Sequence, residues 1–298
     1  MKKALILILA GMLCLVAYYT WSIADEYTSG GGTITDAVEN IRIDWTSGSV
    51  TIKYHDAETV ILEETGDRPI EGDDRMRWKM DGKTLVIEYN TPKLFRFFSP
   101  TKALTVTLPK GMSLKKAEIN ATSADITVPE MTAEEICLGS TSGDVNAAVS
   151  APVVYGESTS GDVTLKLNGR ADRVKMGSTS GRLSLTADDA EQAELGTTSG
   201  GIFLEAEQVK QANLGSTSGD IRVQVRSFEQ MKISATSGSV NAALSAEPGF
   251  TAKISTTSGD FNSTMPLTQE GDSRTCGDGS GKLVIGTTSG DVNLTELK

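Results

Sequence analysis

Apolar and polar residues alternate along most of this chain, and the alternation resets at a nearly fixed step. The reset falls on a recurring triplet, Thr-Ser-Gly, with glycines at Gly143, Gly161, Gly181, Gly200, Gly219, Gly238, Gly259 and Gly290. Counted from a degenerate Thr122-Ser123-Ala124, the steps are 19, 18, 20, 19, 19, 19, 21 and 31 residues. Seven positions ahead of the glycine stand Ile136, Val154, Val174, Ala193, Ala212, Met231, Ala252 and Leu283. Five ahead stand Leu138, Met176, Leu195, Leu214, Ile233, Ile254 and Ile285, with Gly156 the exception. Two after come Val145, Val163, Leu183, Ile202, Ile221, Val240, Phe261 and Val292, and the row continues at Leu165, Leu185, Leu204, Val223 and Leu294. Period two on each side of the glycine predicts half-buried strands.

The two sides are out of phase by one residue, so a straight strand would turn half of its apolar set to water. The Ser-Gly step is therefore a corner, and glycine there is expected to supply unusual backbone angles. Each unit reads as strand, corner, strand and a polar return such as Glu205-Ala206-Glu207-Gln208. Units of fixed short length stack, each burying its apolar face against its neighbours. The predicted fold is all-β, a single-stranded parallel β-solenoid of ~19-residue coils. Counting parity through the corner places the serine before each glycine inward (Ser142, Ser160, Ser180, Ser199, Ser218, Ser237, Ser258, Ser289). The hydroxyl three before it also counts inward, as at Ser140, Ser178, Thr197, Ser216, Thr256 and Thr287. Stacked about 4.8 Å apart, such hydroxyls are expected to bond up and down a buried ladder.

Residues 33–117 carry strands without the tight period, and read as irregular coils capping the regular repeats of 118–298. A solenoid needs its ends covered, because open strand edges recruit other chains. Leu94-Phe95-Arg96-Phe97-Phe98 reads as an apolar plug for that end or, alternatively, as a patch for a membrane-protein partner. The C-terminus follows closely on the last repeat strand, so that end is expected to be thinly capped or to pair with another molecule. Residues 1–24 open with Lys2 and Lys3 before an apolar run from Ala4 to Tyr19. That segment fits a transmembrane anchor helix, with Tyr18, Tyr19 and Trp21 at the far interface. It also fits a signal peptide cleaved after Ala24. Both readings place residues 33–298 outside the membrane.

The Gly-Ser-Thr-Ser-Gly-Asp-Val repeats follow Ile41-Arg-Ile-Asp-Trp-Thr-Ser-Gly-Ser-Val50 and Leu104-Thr-Val-Thr-Leu-Pro109, and the chain closes with Gly277-Asp-Gly-Ser-Gly-Lys-Leu-Val-Ile-Gly-Thr-Thr-Ser-Gly-Asp-Val292. Over residues 33–298 this resembles the bacterial putative-adhesin family, a domain of unknown function built of β-strand repeats. The resemblance implies an extracytoplasmic β-solenoid linked to the cell envelope, and brings no catalytic residues with it. The chain departs from the Gly-Asp pattern at Arg182, Gly201 and Ser239.

Charge narrows the partners. Setting aside Lys2 and Lys3, 26 basic residues face 39 acidic ones, a formal charge of −13. Such a surface repels phosphate backbones and anionic headgroups, which argues against nucleic acid and against a peripheral membrane grip. Cys137 and Cys276 belong to coils too far apart to pair, so both are expected to be free. Cys14 follows Leu13 where a lipidated cysteine needs a small residue, which argues against a lipoprotein.

Catalytic chemistry leaves little trace. The one histidine, His55 beside Asp56, reads as a surface residue at a strand end. Gly139-Ser-Thr-Ser-Gly143 mimics a nucleophile elbow but carries threonine at its centre and recurs several times along the repeats. Gly277-Asp-Gly-Ser-Gly-Lys282 lacks the first glycine and the Ser/Thr of a phosphate loop. The aspartates after the corner (Asp125, Asp144, Asp162, Asp220, Asp260, Asp291) suit turns that bond their own backbone, or else a Ca²⁺-binding edge. Arg182 beside Asp162 would then supply counter-charge. No catalytic, cofactor or metal residue is assigned. The expected function is a non-enzymatic adhesin, envelope scaffold or sensor that meets a cell-wall polymer, glycan or envelope protein. The alternative is a polysaccharide lyase or hydrolase built on a β-helix.

Overall fold

The computed structural model describes residues 27–90 and 101–297. Twenty-two strands run through them, with a single 3-10 turn at Gly72–Asp74 and no α-helix among the described residues. The N-terminal anchor or signal segment and the Phe95, Phe97 and Phe98 cluster lie outside the described residues. No helix among those described is long and apolar enough to cross a membrane.

The regular repeats form a β-solenoid. Strand Leu183–Thr197 pairs in parallel with Val163–Ser178 on one side and Ile202–Ser216 on the other, and Ile202–Ser216 pairs with Ile221–Ala235. Equivalent residues stack in columns. Val50, Ile126, Val145, Val163, Leu183, Ile202, Ile221, Val240 and Val292 form one, none more than 2% exposed. Each such side chain contributes about 1.5–3 kcal/mol when fully buried. The column five before the glycine is buried as well, apart from the partly exposed Ile254 in the outermost coil, and its gap at Gly156 has a packing cause. A Cβ there would lie 2.9 Å from Leu165 Cδ1 and 3.1 Å from Val163 Cγ1, because those two side chains already fill the space.

Three expectations about the coil change. The polar return is no loop: Glu205 to Gln208 sits inside the continuous strand Ile202–Ser216, with Ala206 and Val209 buried, so the chain turns there without leaving the sheet. The register simply skips a residue at that bend, between Ala187/Ala206 and Asp189/Gln208. Second, the serine before each glycine is exposed and the glycine itself points inward at most corners. Third, the corner glycines of the regular repeats keep ordinary φ, and only Gly48 in the first triplet has a positive φ, of 98°. They are needed because the neighbouring coil comes too close: a Cβ on Gly200 would lie 1.9 Å from the Gly181 carbonyl oxygen, and one on Gly181 1.8 Å from that of Gly161.

Coil order departs from chain order at both ends. The last repeat, Gly281–Thr287 with Val292–Glu296, is an inner coil. It stacks on Ile221–Ala235 and Val240–Leu244 on one side and on Gly249–Thr256 and Phe261–Ser263 on the other. The expected thin C-terminal cap is therefore replaced by the penultimate repeat, itself covered by the antiparallel strands Ser273–Gly277 and Thr268–Glu270. The 31-residue final step is the length needed to go out, make that hairpin and return. The first third mirrors this. Strand Asn40–His55 is a full coil stacked on Ser113–Val128, while Thr84–Glu88 and Lys102–Pro109 lie outside it. Arg77–Asp81 and Val60–Gly66 pair antiparallel with those outer strands. The sheet is thus parallel in its body and antiparallel at both caps, so the expectation of a wholly parallel solenoid holds for the body alone.

Candidate functional site

Every corner divides into an inner half whose side chain bonds neighbouring backbone and an outer half whose side-chain hydroxyls, along the regular repeats, make no hydrogen bond within the protein. The inner half contains the hydroxyl three before the glycine. Ser216 Oγ donates to the Gly200 carbonyl at 3.0 Å and accepts from the Gly219 N–H at 2.9 Å. Ser140, Ser158 and Thr197 repeat both bonds, and each is at most 8% exposed. The ladder expected between hydroxyls is instead a bond from each hydroxyl to the backbone of the coil before it. It satisfies one carbonyl and one N–H that the tight glycine contact would otherwise strand, each worth about 1–3 kcal/mol if left unpaired.

The outer half consists of the threonine and serine before the glycine. Their backbones are held coil to coil, as in Ser199 N–H to the Thr179 carbonyl at 2.9 Å and Ser218 N–H to the Thr198 carbonyl at 2.8 Å. Their hydroxyls are uncommitted along the regular repeats, and the two files stand in register from Thr141 and Ser142 to Thr257 and Ser258. Only at the first triplet does one engage, where Ser47 Oγ meets the Tyr89 hydroxyl at 3.2 Å.

The aspartates after the corner do not bond their own turn as expected. Asp125 Oδ1 accepts from the Asp144 N–H, Asp144 from Asp162, and Asp162 from Arg182, at 2.9, 2.8 and 2.7 Å. They therefore staple one coil to the next rather than bond their own turn, and Arg182 meets Asp162 through its main chain. The staple lapses at Arg182 and Gly201, which carry no carboxylate, and resumes from Asp220 to Ser239. Beyond that it follows the true stacking order: Asp291 N–H donates to Ser239 Oγ, and Asp260 N–H to Asp291 Oδ1. Among the described residues no group of three or more His, Cys, Asp or Glu side chains could hold a metal ion.

Other sequence candidates are dispersed. His55 ends its strand, with Nε2 donating to the Thr59 carbonyl. Cys137 and Cys276 are both free. Cys137 is half-buried between the buried Ile136 and Leu138, and burial with Glu135 beside it pushes its thiol up to about 12.

The irregular end holds a constellation that sequence reasoning missed. Lys102 is fully buried, its Nζ 2.8 Å from Glu64 and bonded to the Asp74 and Asn90 carbonyls at 2.6 and 3.2 Å. It also lies 3.9 Å from the Tyr89 ring centroid and 5.4 Å from that of Trp45. Burial pulls the ammonium below its ordinary range, and Glu64 opposes the shift. With its donors met on all sides, this lysine is a structural lock. Two strands carried the signal: Glu64 shares parity with Val60 and Leu62, and Lys102 with Leu104 and Val106, a charge on the buried face of each.

A second cluster, Arg170 with Asp172, Asp189 and Glu191 and onward to Lys210, crosses three coils. The Lys210 ammonium bonded to Glu191 lowers that carboxyl. The cluster is an exposed ion-pair network lying outside the grooves of the molecule. One of those grooves, about 420 Å³, runs over four coils along Gln192, Gln211 and Gln230.

The Toastrack DUF4097 family model matches residues 38–295. Among solved structures, a putative adhesin from Parabacteroides distasonis ATCC 8503 is 14% identical, with a TM-score of 0.50 over 92% of this chain and 98% of that one. A putative lipid binding protein from the same organism is 15% identical, with a TM-score of 0.52 over 90% and 97%. Likeness at these identities concerns the fold. No curated protein matches the chain. The family match spans most of the sequence, and the chain belongs to the Toastrack DUF4097 family, the putative-adhesin domain of unknown function that its repeats resemble.

Proposed function

We propose that this is a non-enzymatic, adhesin-like β-repeat protein that works outside the cytoplasm. Its N-terminal segment anchors it in the membrane, or releases it if cleaved after Ala24. It meets a glycan, a cell-wall polymer or an envelope protein through the corner edge. The observation that carries this reading is the pair of exposed files of threonine and serine hydroxyls. Structural need accounts for the glycine and for the hydroxyl three before it, and leaves these two uncommitted. Donors and acceptors repeated about every 4.8 Å suit a polymeric ligand gripped by many weak contacts at once, where linked contacts multiply affinity. The description of a similarly folded Parabacteroides protein as a putative adhesin is consistent with that use. An array of cell-wall polymers and glycans probed with the full chain tests it: saturable binding to a polymer is expected. Failure to bind any polymer or any envelope protein would overturn the reading.

A further inference from the structure

We propose that the face beside the threonine file binds an acidic polysaccharide laid along the stacking axis, an inference that rests on the adhesin-like reading and names its ligand class. Three files of outward residues make up this face on the coils around Gly200, Gly219, Gly238 and Gly290. Eight before the glycine stand Gln192, Gln211, Gln230 and Lys282, in direct register. Six before stand Glu194, Asn213, Lys232 and Val284. Four before, Gly196 and Gly215 have open space where a Cβ would be, which leaves a furrow between the amide files and the threonines. The 420 Å³ groove itself runs along the first two of these files, over Ala193, Ala212 and Met231.

Side-chain chemistry in the groove is of two kinds. The glutamines and Asn213 offer both donors and acceptors, and none makes a side-chain bond within the protein. Free amides in a row match the hydroxyls and ring oxygens of a sugar chain. Toward the C-terminal cap the groove turns cationic. Lys232 and Lys253 flank Val284 on neighbouring coils, and Lys282 stands in the adjoining file. All three are exposed and none has an ion-pair partner. Elsewhere on this acidic protein lysines are often tied up, as Lys115 is with Glu39 and Lys210 with Glu191. Three uncommitted ammonium groups beside a row of free amides form a local cationic patch that complements a polymer carrying both hydroxyls and anions, whereas the rest of this chain of formal charge −11 repels such a polymer and so confines it to this face. Glu194 at the far end sets a polarity, favouring anionic residues near Lys282 and neutral ones near Gln192.

Binding of polygalacturonate to the full chain tests this, with neutral dextran as the comparison. Polygalacturonate is expected to bind saturably, dextran at least tenfold more weakly, and added salt to weaken the former selectively because screening acts on the charged contacts. Replacing Lys232→Gln and Lys282→Gln together removes charge from exposed positions without disturbing the core. The double variant should lose at least tenfold in affinity for polygalacturonate and keep the wild-type thermal midpoint. Gln211→Ala should weaken both polymers to a similar degree. Equal binding of the two polymers, unchanged affinity in the double variant, or no polygalacturonate binding would each overturn the groove. If other wall polymers still bound in any of these cases, the adhesin-like reading would survive its loss.

Discussion

Within a single corner, neighbouring residues carry opposite duties, and substitution separates them. Gly200→Ala puts a Cβ 1.9 Å from the Gly181 carbonyl oxygen. Backbone on both sides has no room to give, so the loss should be about 3 kcal/mol or more. Thr197→Val keeps the shape but strands the Gly200 N–H and the Gly181 carbonyl, and should cost about 1–3 kcal/mol. Ser199→Ala, one residue from the glycine, should stay within about 0.5 kcal/mol. Chemical denaturation of the three variants orders them. The period of the corner was legible in the sequence, and its parity was not. Threonine and serine both face outward in succession, so alternation carried through them puts serine on the wrong side. Nor can a sequence show that the glycine answers to a carbonyl in the next coil. Surface charge makes a separate prediction at this scale. Hydrogen bonds from Lys115 and Lys83 hold the Glu39 carboxyl at about 2. Its folded value lies below its unfolded one, so its contribution is present above about pH 4.5 and lost as pH falls toward 2. Thermal midpoints of wild type and Glu39→Gln should therefore converge over that range.

At the scale of the coil, stacking order decides stability more than chain order does. Ending the chain at Ser280 removes what looks like a terminal repeat. It is an inner coil, however, and its loss leaves Gly249–Thr256 and Phe261–Ser263 without the neighbour they stack on. Hydrogen exchange should report lost protection across residues 249–263 as well as on the newly bared Val240–Leu244, whereas a true end repeat would peel away alone. The sequence carried a hint in its 31-residue last step but no means to tell a long loop from a reversal of order. The other cap depends on the Lys102–Glu64 pair. Removing one member of a buried pair typically costs about 3–5 kcal/mol, while replacing both with apolar groups of similar size recovers much of it. Glu64→Leu and Lys102→Met should each destabilise by about that much, and the double variant by clearly less than their sum. Equal additive losses would mean that the pair is not the lock described above. Its strands were legible as strands, but pairing two charges across irregular coils needs the fold itself.

For the whole molecule, the solenoid works as a rigid rule that sets identical groups at a constant spacing. Hydroxyls, glycines and aspartates that face inward or along the backbone are spent on holding the rule straight. Those on the corner edge and its neighbouring face are not. Fold class and repeat boundaries could be read from periodicity because each coil buries the same columns. Function could not, since exposed hydroxyls and amides look the same in a sequence whether they bind a ligand or only water. The most direct test is retention of the full chain on an immobilised polymer that it binds, compared with a variant carrying Thr179→Ala, Ser180→Ala, Thr217→Ala and Ser218→Ala. These side chains are exposed and make no hydrogen bond within the protein, so the expected result is binding at least tenfold weaker with an unchanged thermal midpoint. Undiminished binding by a folded variant would contradict the assignment of the corner edge as the working surface.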